Sequence, residues 1–235
     1  GTDAALARAM GHVILKEYYI DKETPYFKEY AKEFTDMPFL VRVEDINGTV
    51  QPGRFLNAKD LGRQEEGADF QMVLIDELTN EIVVPNGTMG ERHTHPEKWN
   101  LRLENRDTGA KIDPRLSVFD QREDVTIVKL PYFGDEEHEG IIERAIPTIT
   151  VQTVDGPVKV TTVYDLILAN YGIDRGIGGE VATAYTDDTP YTPTWQEKIT
   201  GVKADIAIAT AREFADNAEK TKGRSMIIMG GGINH

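Results

Sequence analysis

The sequence of 235 residues contains no cysteine. This absence excludes disulfides, thiolate ligands for zinc or iron–sulfur clusters, and cysteine nucleophiles within the chain. The sequence also lacks an apolar run close to the roughly 18 residues that a membrane-spanning helix needs. Its N-terminus has neither a signal-peptide pattern nor an initiator methionine. We expect both ends to lie inside a longer polypeptide.

Basic residues are the other scarce class. The chain has 26 lysines and arginines against 40 aspartates and glutamates, which gives a formal net charge of −14. This balance argues against a nucleic-acid partner, because phosphate binding depends on clustered Lys and Arg. The acidic residues are dispersed, which indicates a solvated surface. A hydrophobic content of 40% is ordinary for a globular protein and is enough for a core.

Helical periodicity marks the first 38 residues. Thr2 is a plausible N-cap, Asp3 lies in the first turn, and apolar residues then recur at helical spacing to about Ile20. Gly11 lowers helix propensity within this helix, which predicts close packing against a neighbour. A second helix is predicted from Pro25 to Phe34.

The pattern changes to short strands between residues 39 and 160. Seven apolar or alternating runs are separated by turn signals such as Asn47-Gly48 and Asp155-Gly156. This composition predicts a β-hairpin-rich insertion.

Helical periodicity returns from residue 161. Helices are predicted over 162–171, over a short segment that starts near Tyr191, and over 205–220, where Ile206, Ala209, Phe214 and Ala218 form the apolar face. Residues 225–229 read as a strand that is apolar on both faces. The sequence therefore predicts an α+β fold with α/β elements at both ends, divided into residues 1–38, 39–160 and 161–235.

Few residues suggest chemistry on their own. His93 and His95, with Glu91 or Glu97, could form a metal site, but the flanking glycines and proline are typical of an exposed loop. His12 lies within the first helix, where a core or surface histidine is the simpler interpretation. Three glycines, Gly230, Gly231 and Gly232, follow the predicted last strand and indicate either close approach to a cofactor or a tight turn.

Several stretches together resemble one family. They are GTDAALARAMGHVILKEYY, YFKEYAKEFTDMPFLV, VVPNGTMGER, KWNL, LPYFG, VTTVYDLILANYG, YTPTWQEKITGV and AREFADNAEKTKGRSMIIMGGGINH. In this order they resemble an internal segment of the alpha subunits of respiratory, membrane-bound nitrate reductases, which are molybdopterin oxidoreductases related to dimethyl sulfoxide reductase. The resemblance covers nearly the whole chain and is densest at its two ends.

The resemblance implies a parent catalytic subunit that reduces nitrate to nitrite by two-electron oxygen-atom transfer. It implies a bis(molybdopterin guanine dinucleotide) molybdenum cofactor and an iron–sulfur cluster in that parent, and neither in this piece alone. It further implies an iron–sulfur beta subunit and a haem-containing gamma subunit as partners, on the cytoplasmic side of the cell membrane. Nitrate is the expected substrate.

The family's site residues map onto the two ends of the chain. By resemblance, Gly1, Thr2 and Asp3 lie beside the guanine dinucleotide. The turn after the last strand, with Gly230, Gly231, Gly232 and Asn234, approaches the cofactor, and His235 matches a catalytic histidine near the molybdenum. The metal-ligating aspartate of the family lies upstream of this chain, so no metal ligand is expected here.

Two other functions remain open at this point. The hairpin-rich insertion could make the chain a subunit-interaction or scaffold module without catalysis. The two loop histidines could give it a metal site of its own.

Overall fold

A computed structural model describes residues 2–87, 102–132 and 140–228 of the chain. The chain divides into two compact units. The first, here called the helical unit, comprises Gly1–Lys28, Leu130–Arg144 and Leu168–His235. The second, the sheet unit, comprises Glu29–Lys129 and Ala145–Ile167. The predicted boundaries after residues 38 and 160 remain a prediction.

The helices follow the sequence prediction closely. They are α1 (Asp3–Ile14), a π-helical segment (Leu15–Asp21), α2 (Pro25–Phe34), α3 (Val163–Asn170), α4 (Pro193–Thr200) and α5 (Ala204–Thr221). The first helix extends to the predicted length, but its last seven residues adopt the wider π form. The second helix has the predicted bounds.

α1 packs against α4 and α5 in the helical unit. A Cβ atom added at Gly11 would lie 2.6 Å from Cε1 of Tyr171, which confirms the predicted close approach. The hydroxyl of Tyr18, in the π-helical segment, donates to the carboxylate of Asp216 and to the carbonyl of Arg212 on α5. These contacts anchor the C-terminal half of the first helix.

The buried face of α5 differs from the prediction. It consists of alanines at helical spacing, namely Ala207, Ala211, Ala215 and Ala218. Ile206 is 55% exposed and Ala209 is also exposed, so the predicted face was wrong at these two positions. Small side chains allow neighbouring helices to approach closely. The buried face of α5 is therefore the one that carries the alanines, and not the one predicted from the larger apolar residues.

The sheet unit is built on antiparallel hairpins. Its strands are β1 (Leu40–Ile46), β2 (Thr49–Phe55), β3 (Leu74–Ile75), β4 (Ile82–Val83), β5 (Pro85–Asn86), β6 (Arg102–Asn105), β7 (Asp124–Pro131), β8 (Ile141–Thr153) and β9 (Gly156–Thr162), of which β7 and β8 extend into the helical unit's sequence. Five strands form one sheet in the order β2-β1-β9-β8-β7, in which β1 is antiparallel to β2 and β9, and β9 to β8. Leu40, Leu56, Val118 and Val160 lie in its core.

Tight turns close the hairpins where the sequence predicts them. Asn47 and Gly48 both have positive φ, of 56° and 81°, which a two-residue turn between β1 and β2 requires. Together with the helices, this sheet confirms the predicted α+β class and the β-rich character of the middle of the chain.

The predicted last strand is wrong for the residues that the structure describes. Residues 225–228 form no strand, and Met226 and Ile228 are 78% and 85% exposed. An apolar run becomes a buried strand only when neighbouring strands pair with its backbone, and no described strand pairs with this one. Met229 lies outside the described residues.

No described helix is both long and apolar enough to cross a membrane.

Candidate functional site

The structure describes two of the eight predicted site residues, Thr2 and Asp3. Both are exposed, and they lie at the start of α1. The other six are outside the described residues: Gly1, Gly230, Gly231, Gly232, Asn234 and His235. That the two ends of the chain form one site therefore stays a prediction. The histidine pair at 93 and 95 also lies outside the described residues.

The N-terminus of α1 has free hydrogen-bonding groups. Thr2 occupies the N-cap position and its carbonyl accepts from the amide of Ala5 at 3.0 Å, but its side chain makes no capping hydrogen bond. The amides of Asp3 and Ala4 have no acceptor within the helix, as is general for a first turn. The Asp3 carboxylate makes no hydrogen bond or ion pair to any described residue. The helix start therefore offers amide donors and a carboxylate acceptor side by side.

An aromatic cluster holds this end of α1 in place. Ala5 packs against Tyr191 and Trp195. One turn further on, the Arg8 guanidinium lies 5.0 Å from the ring centroid of Tyr171 and 5.1 Å from that of Tyr191, and it donates to Asn170 at 3.1 Å. Cation–π contacts of this kind strengthen as water is excluded. These contacts hold the first two turns of α1, and with them the backbone of Asp3, against the aromatic cluster.

Tyr191 has a strained backbone. Its φ is +117°, a value rarely adopted by residues other than glycine, and its side chain is buried. Its ring meets Trp195 edge-on at 5.3 Å, and Thr192 next to it caps α4 by accepting from the Trp195 amide. Such strain persists only where the surroundings determine the conformation, and it concentrates at functional positions.

Arg144 is a fully buried cation in the same unit. Nη2 donates to the carbonyl of Pro190 at 3.2 Å, while Nε and Nη1 have no hydrogen-bond partner among the described residues. Burial lowers the pKa of Arg144 to about 10, against the opposing effect of the Glu180 carboxylate. Gly172 makes room for it, since a Cβ there would lie 2.9 Å from Nη2. This guanidinium supports the segment that carries Tyr191.

A cavity of about 380 Å³ opens beside the π-helical segment. It is lined by His12, Lys16, Glu17, Asp21, Lys22 and residues 182–185. Nδ1 of the buried His12 lies 2.7 Å from the carbonyl of Tyr171, so Nδ1 carries the proton in the neutral ring. Burial, with the nearby cations Arg144 and Lys16, lowers the pKa of His12 to about 4, although the Tyr171 carbonyl opposes the shift. His12 is therefore neutral at pH 7.

The charged groups around this cavity are paired. Burial acts to raise the pKa of Glu17, but hydrogen bonds from Arg212 and Tyr185 outweigh it and hold that pKa below its usual range. Lys16 donates to both carboxylate oxygens of Asp21, at 2.5 and 2.7 Å. No cluster of three or more His, Asp or Glu residues suited to a metal occurs among the described residues.

Sequence reasoning missed Arg144, Tyr191 and the cavity around His12. An arginine in the strand run of β8 looks like any surface residue, because its burial depends on segments distant in sequence. The strain at Tyr191 has no sequence signal either, since tyrosine is not a turn-forming residue. Only the two prolines around this position, Pro190 and Pro193, mark an irregular segment.

Comparison with known proteins agrees with the resemblance noted in the sequence. The chain is 48% identical over 235 residues to the nitrate reductase alpha chain of Bacillus subtilis, and 44% identical over 248 aligned residues to the respiratory nitrate reductase 1 alpha chain of Escherichia coli. A more distant relative is the perchlorate reductase subunit alpha of Dechloromonas aromatica, at 29% identity. Each alignment covers the whole of this chain. No family model matches it.

The predicted resemblance is confirmed by these relatives. The chain spans about a fifth of their length, 19% and 20% for the first two.

Proposed function

We propose that this chain, homologous over its whole length to one segment of nitrate reductase alpha chains, is part of the catalytic subunit of a nitrate-reducing molybdenum enzyme. The observation that carries the proposal is the identity of 48% and 44% to two such chains with no part of the sequence left unaligned. The lower identity to the perchlorate reductase subunit, 29%, favours nitrate within the wider class of oxyanions.

The reaction is a balanced two-electron reduction. Nitrate loses one oxygen atom and, with two electrons and two protons, yields nitrite and water. When bound, a bis(molybdopterin guanine dinucleotide) molybdenum cofactor would supply the oxygen-atom transfer, and an iron–sulfur cluster of the parent polypeptide would supply the electrons. With no cysteine in this chain, thiolate ligands for that cluster lie elsewhere in the polypeptide.

The start of α1 fits one end of such a cofactor. A guanine base presents N1–H and N2–H₂ as adjacent donors, and a carboxylate can accept from both. The exposed Asp3 carboxylate, without a partner among the described residues, is an acceptor of this kind. The free amides of the first turn favour the negative charge of a diphosphate. By resemblance to the family, Gly1 and Thr2 lie beside the same part of the cofactor.

The other end of the chain supplies a second group of contacts to the cofactor. Gly230, Gly231, Gly232 and Asn234 allow close backbone approach to the cofactor, because glycine has no side chain to keep a ligand away. His235 orients nitrate or supplies a proton to the leaving oxygen, as an imidazole can do near neutral pH.

The parent enzyme works as a multi-subunit complex. An iron–sulfur beta subunit and a haem-containing gamma subunit pass electrons to the alpha subunit, on the cytoplasmic side of the membrane. Within that alpha subunit, this chain contacts the remaining domains that grip the cofactor. A cofactor of this size needs contacts from several domains, and each missing contact lowers its affinity.

Metal analysis and activity of two proteins test the proposal. We expect the full-length polypeptide that contains this chain to hold molybdenum and to reduce nitrate with reduced viologen, and the 235-residue chain alone to do neither. Nitrate turnover by the 235-residue chain would contradict the division of the site between domains. A full-length protein without molybdenum would instead favour the scaffold role, and stoichiometric zinc in either protein would favour the loop histidines.

A further inference from the structure

The cavity beside the π-helical segment has the features of a ligand site. Its volume of about 380 Å³ lies in the range of small-molecule sites, about 300–1,000 Å³. π-Helical turns are rare and often occur at functional positions. Here the segment Leu15–Asp21 forms one wall, and residues 182–185 form another. Both walls belong to the helical unit.

One polar group in this cavity is available to a ligand. His12 is only 2% exposed, and the carbonyl of Tyr171 binds Nδ1, so Nε2 carries a lone pair and no proton. Nε2 has no hydrogen-bond partner among the described residues. Nε2 itself is not fully enclosed, so a donor that enters the cavity can reach it.

The charged groups that line the cavity do not favour a charged ligand, because they already have partners. The ammonium group of Lys16 is bound to Asp21, and that of Lys22 lies 3.8 Å from the ring centroid of Tyr18. Glu17 is held by Arg212 and Tyr185. Alanine side chains, Ala182 and Ala184, line the opposite wall. A ligand with a net charge would therefore enter without a counter-ion.

We propose that this cavity binds a small, uncharged, largely apolar molecule with one hydroxyl or N–H group, which donates a hydrogen bond to Nε2 of His12. The proposal does not depend on the proposed function. It concerns the end of α1 opposite to Asp3, nine residues or about 13 Å further along the helix.

Phenol and toluene are matched probes, because they have nearly the same shape and only phenol has a donor. We expect phenol to bind the chain about three- to tenfold more tightly than toluene, which corresponds to one neutral hydrogen bond. In ¹⁵N spectra of the imidazoles, phenol should shift the Nε2 resonance of His12 and leave the protonated Nδ1 in place. Equal affinities for the two probes, or an unchanged Nε2 resonance at phenol saturation, would overturn the proposal.

Two variants separate recognition from folding. His12→Asn keeps a donor for the Tyr171 carbonyl but leaves no acceptor at the position of Nε2, because the amide oxygen of the shorter side chain does not reach that position. The preference for phenol should therefore be lost. Ala184→Leu places a larger side chain at an exposed position of the cavity wall and should weaken both probes together. A preference for phenol that persists in His12→Asn would contradict the assignment of His12 as the acceptor.

Discussion

At the scale of single residues, His12 links the stability of the helical unit to pH. Its pKa is about 4 in the folded chain and 6.5 in the unfolded one. Between these values the unfolded state binds more protons, so the free energy of unfolding falls as the pH falls from 6.5 through 4. The full effect is about 3 kcal/mol. Arg144, a cation near the ring, has a pKa of about 10 and therefore keeps its charge in this window.

Urea unfolding near pH 7 and near pH 5 measures this effect. Trp195, which packs on α1, is the reporter, in a Trp99→Phe background. We expect His12→Asn to remove most of the loss of stability between the two pH values. Carboxylates with lowered pKa, such as Asp60 and Asp76, affect stability only at lower pH and are common to both proteins. The same pH dependence in wild type and variant would show that His12 is not its source.

Gly11 makes a second prediction at this scale. Gly11→Ala raises helix propensity by about 1 kcal/mol, but its methyl group would lie 2.6 Å from the ring of Tyr171. That ring cannot move freely, since it also contacts Arg8 and Tyr191. We expect a net loss of about 1–2 kcal/mol in urea unfolding.

A double variant identifies the cause. Gly11→Ala combined with Tyr171→Leu should cost less than the sum of the two single changes, because the smaller side chain removes the clash. A stability gain in the single variant Gly11→Ala would contradict the close contact.

At the scale of elements, the exposed apolar segment 225–228 stands out. Met226, Ile227 and Ile228 are each more than half exposed, and exposed apolar groups of this kind favour association. We expect the double variant Met226→Ser/Ile228→Ser to lower self-association of the chain in analytical ultracentrifugation, with little change in its stability. Val154→Ser is the matched control, since Val154 is 63% exposed in a hairpin turn. An equal effect of the control would refute the role of this segment.

Local sequence signals predicted most helices and hairpins correctly. Pro25 and Phe34 bound α2 as predicted, and Asn47-Gly48 closes its hairpin, because proline, glycine and asparagine act on the backbone at their own positions. Features that depend on distant neighbours were not predictable. The alanine face of α5, the π form of Leu15–Asp21 and the unpaired run 225–228 each follow from what packs there, or does not.

In the candidate site, too, features with a local sequence signal were predicted and features that depend on distant residues were not. Asp3 was assigned to the first turn of α1 from its position after Thr2, and the structure places it there, exposed. The buried Arg144, the strained Tyr191 and the tautomer of His12 had no local signal. The roles of the glycines near the C-terminus and of His235 came from family resemblance and stay predictions.

At the scale of the whole molecule, the chain is about one fifth of the length of its relatives. The role proposed for it is to supply two edges of a cofactor site that it shares with the rest of the polypeptide. On this proposal, cofactor binding requires the full-length polypeptide. Among the described residues, the proposed contribution is that of the exposed Asp3 at the start of α1, a helix held by the aromatic cluster around Ala5 and Arg8. A change at Asp3 should therefore affect loading with cofactor more than folding.

The most direct measurement is the molybdenum and guanine content of purified full-length protein with Asp3→Asn. Asparagine keeps the shape but loses the charge and one acceptor, and charge-assisted hydrogen bonds contribute about 1.5–3 kcal/mol each. We therefore predict a roughly tenfold or greater loss of cofactor affinity and a lower content per polypeptide. Glu33→Gln, a similar change at an exposed position of α2, should leave the content unchanged. Wild-type molybdenum and guanine content in Asp3→Asn would contradict the proposal that this chain forms part of the cofactor site.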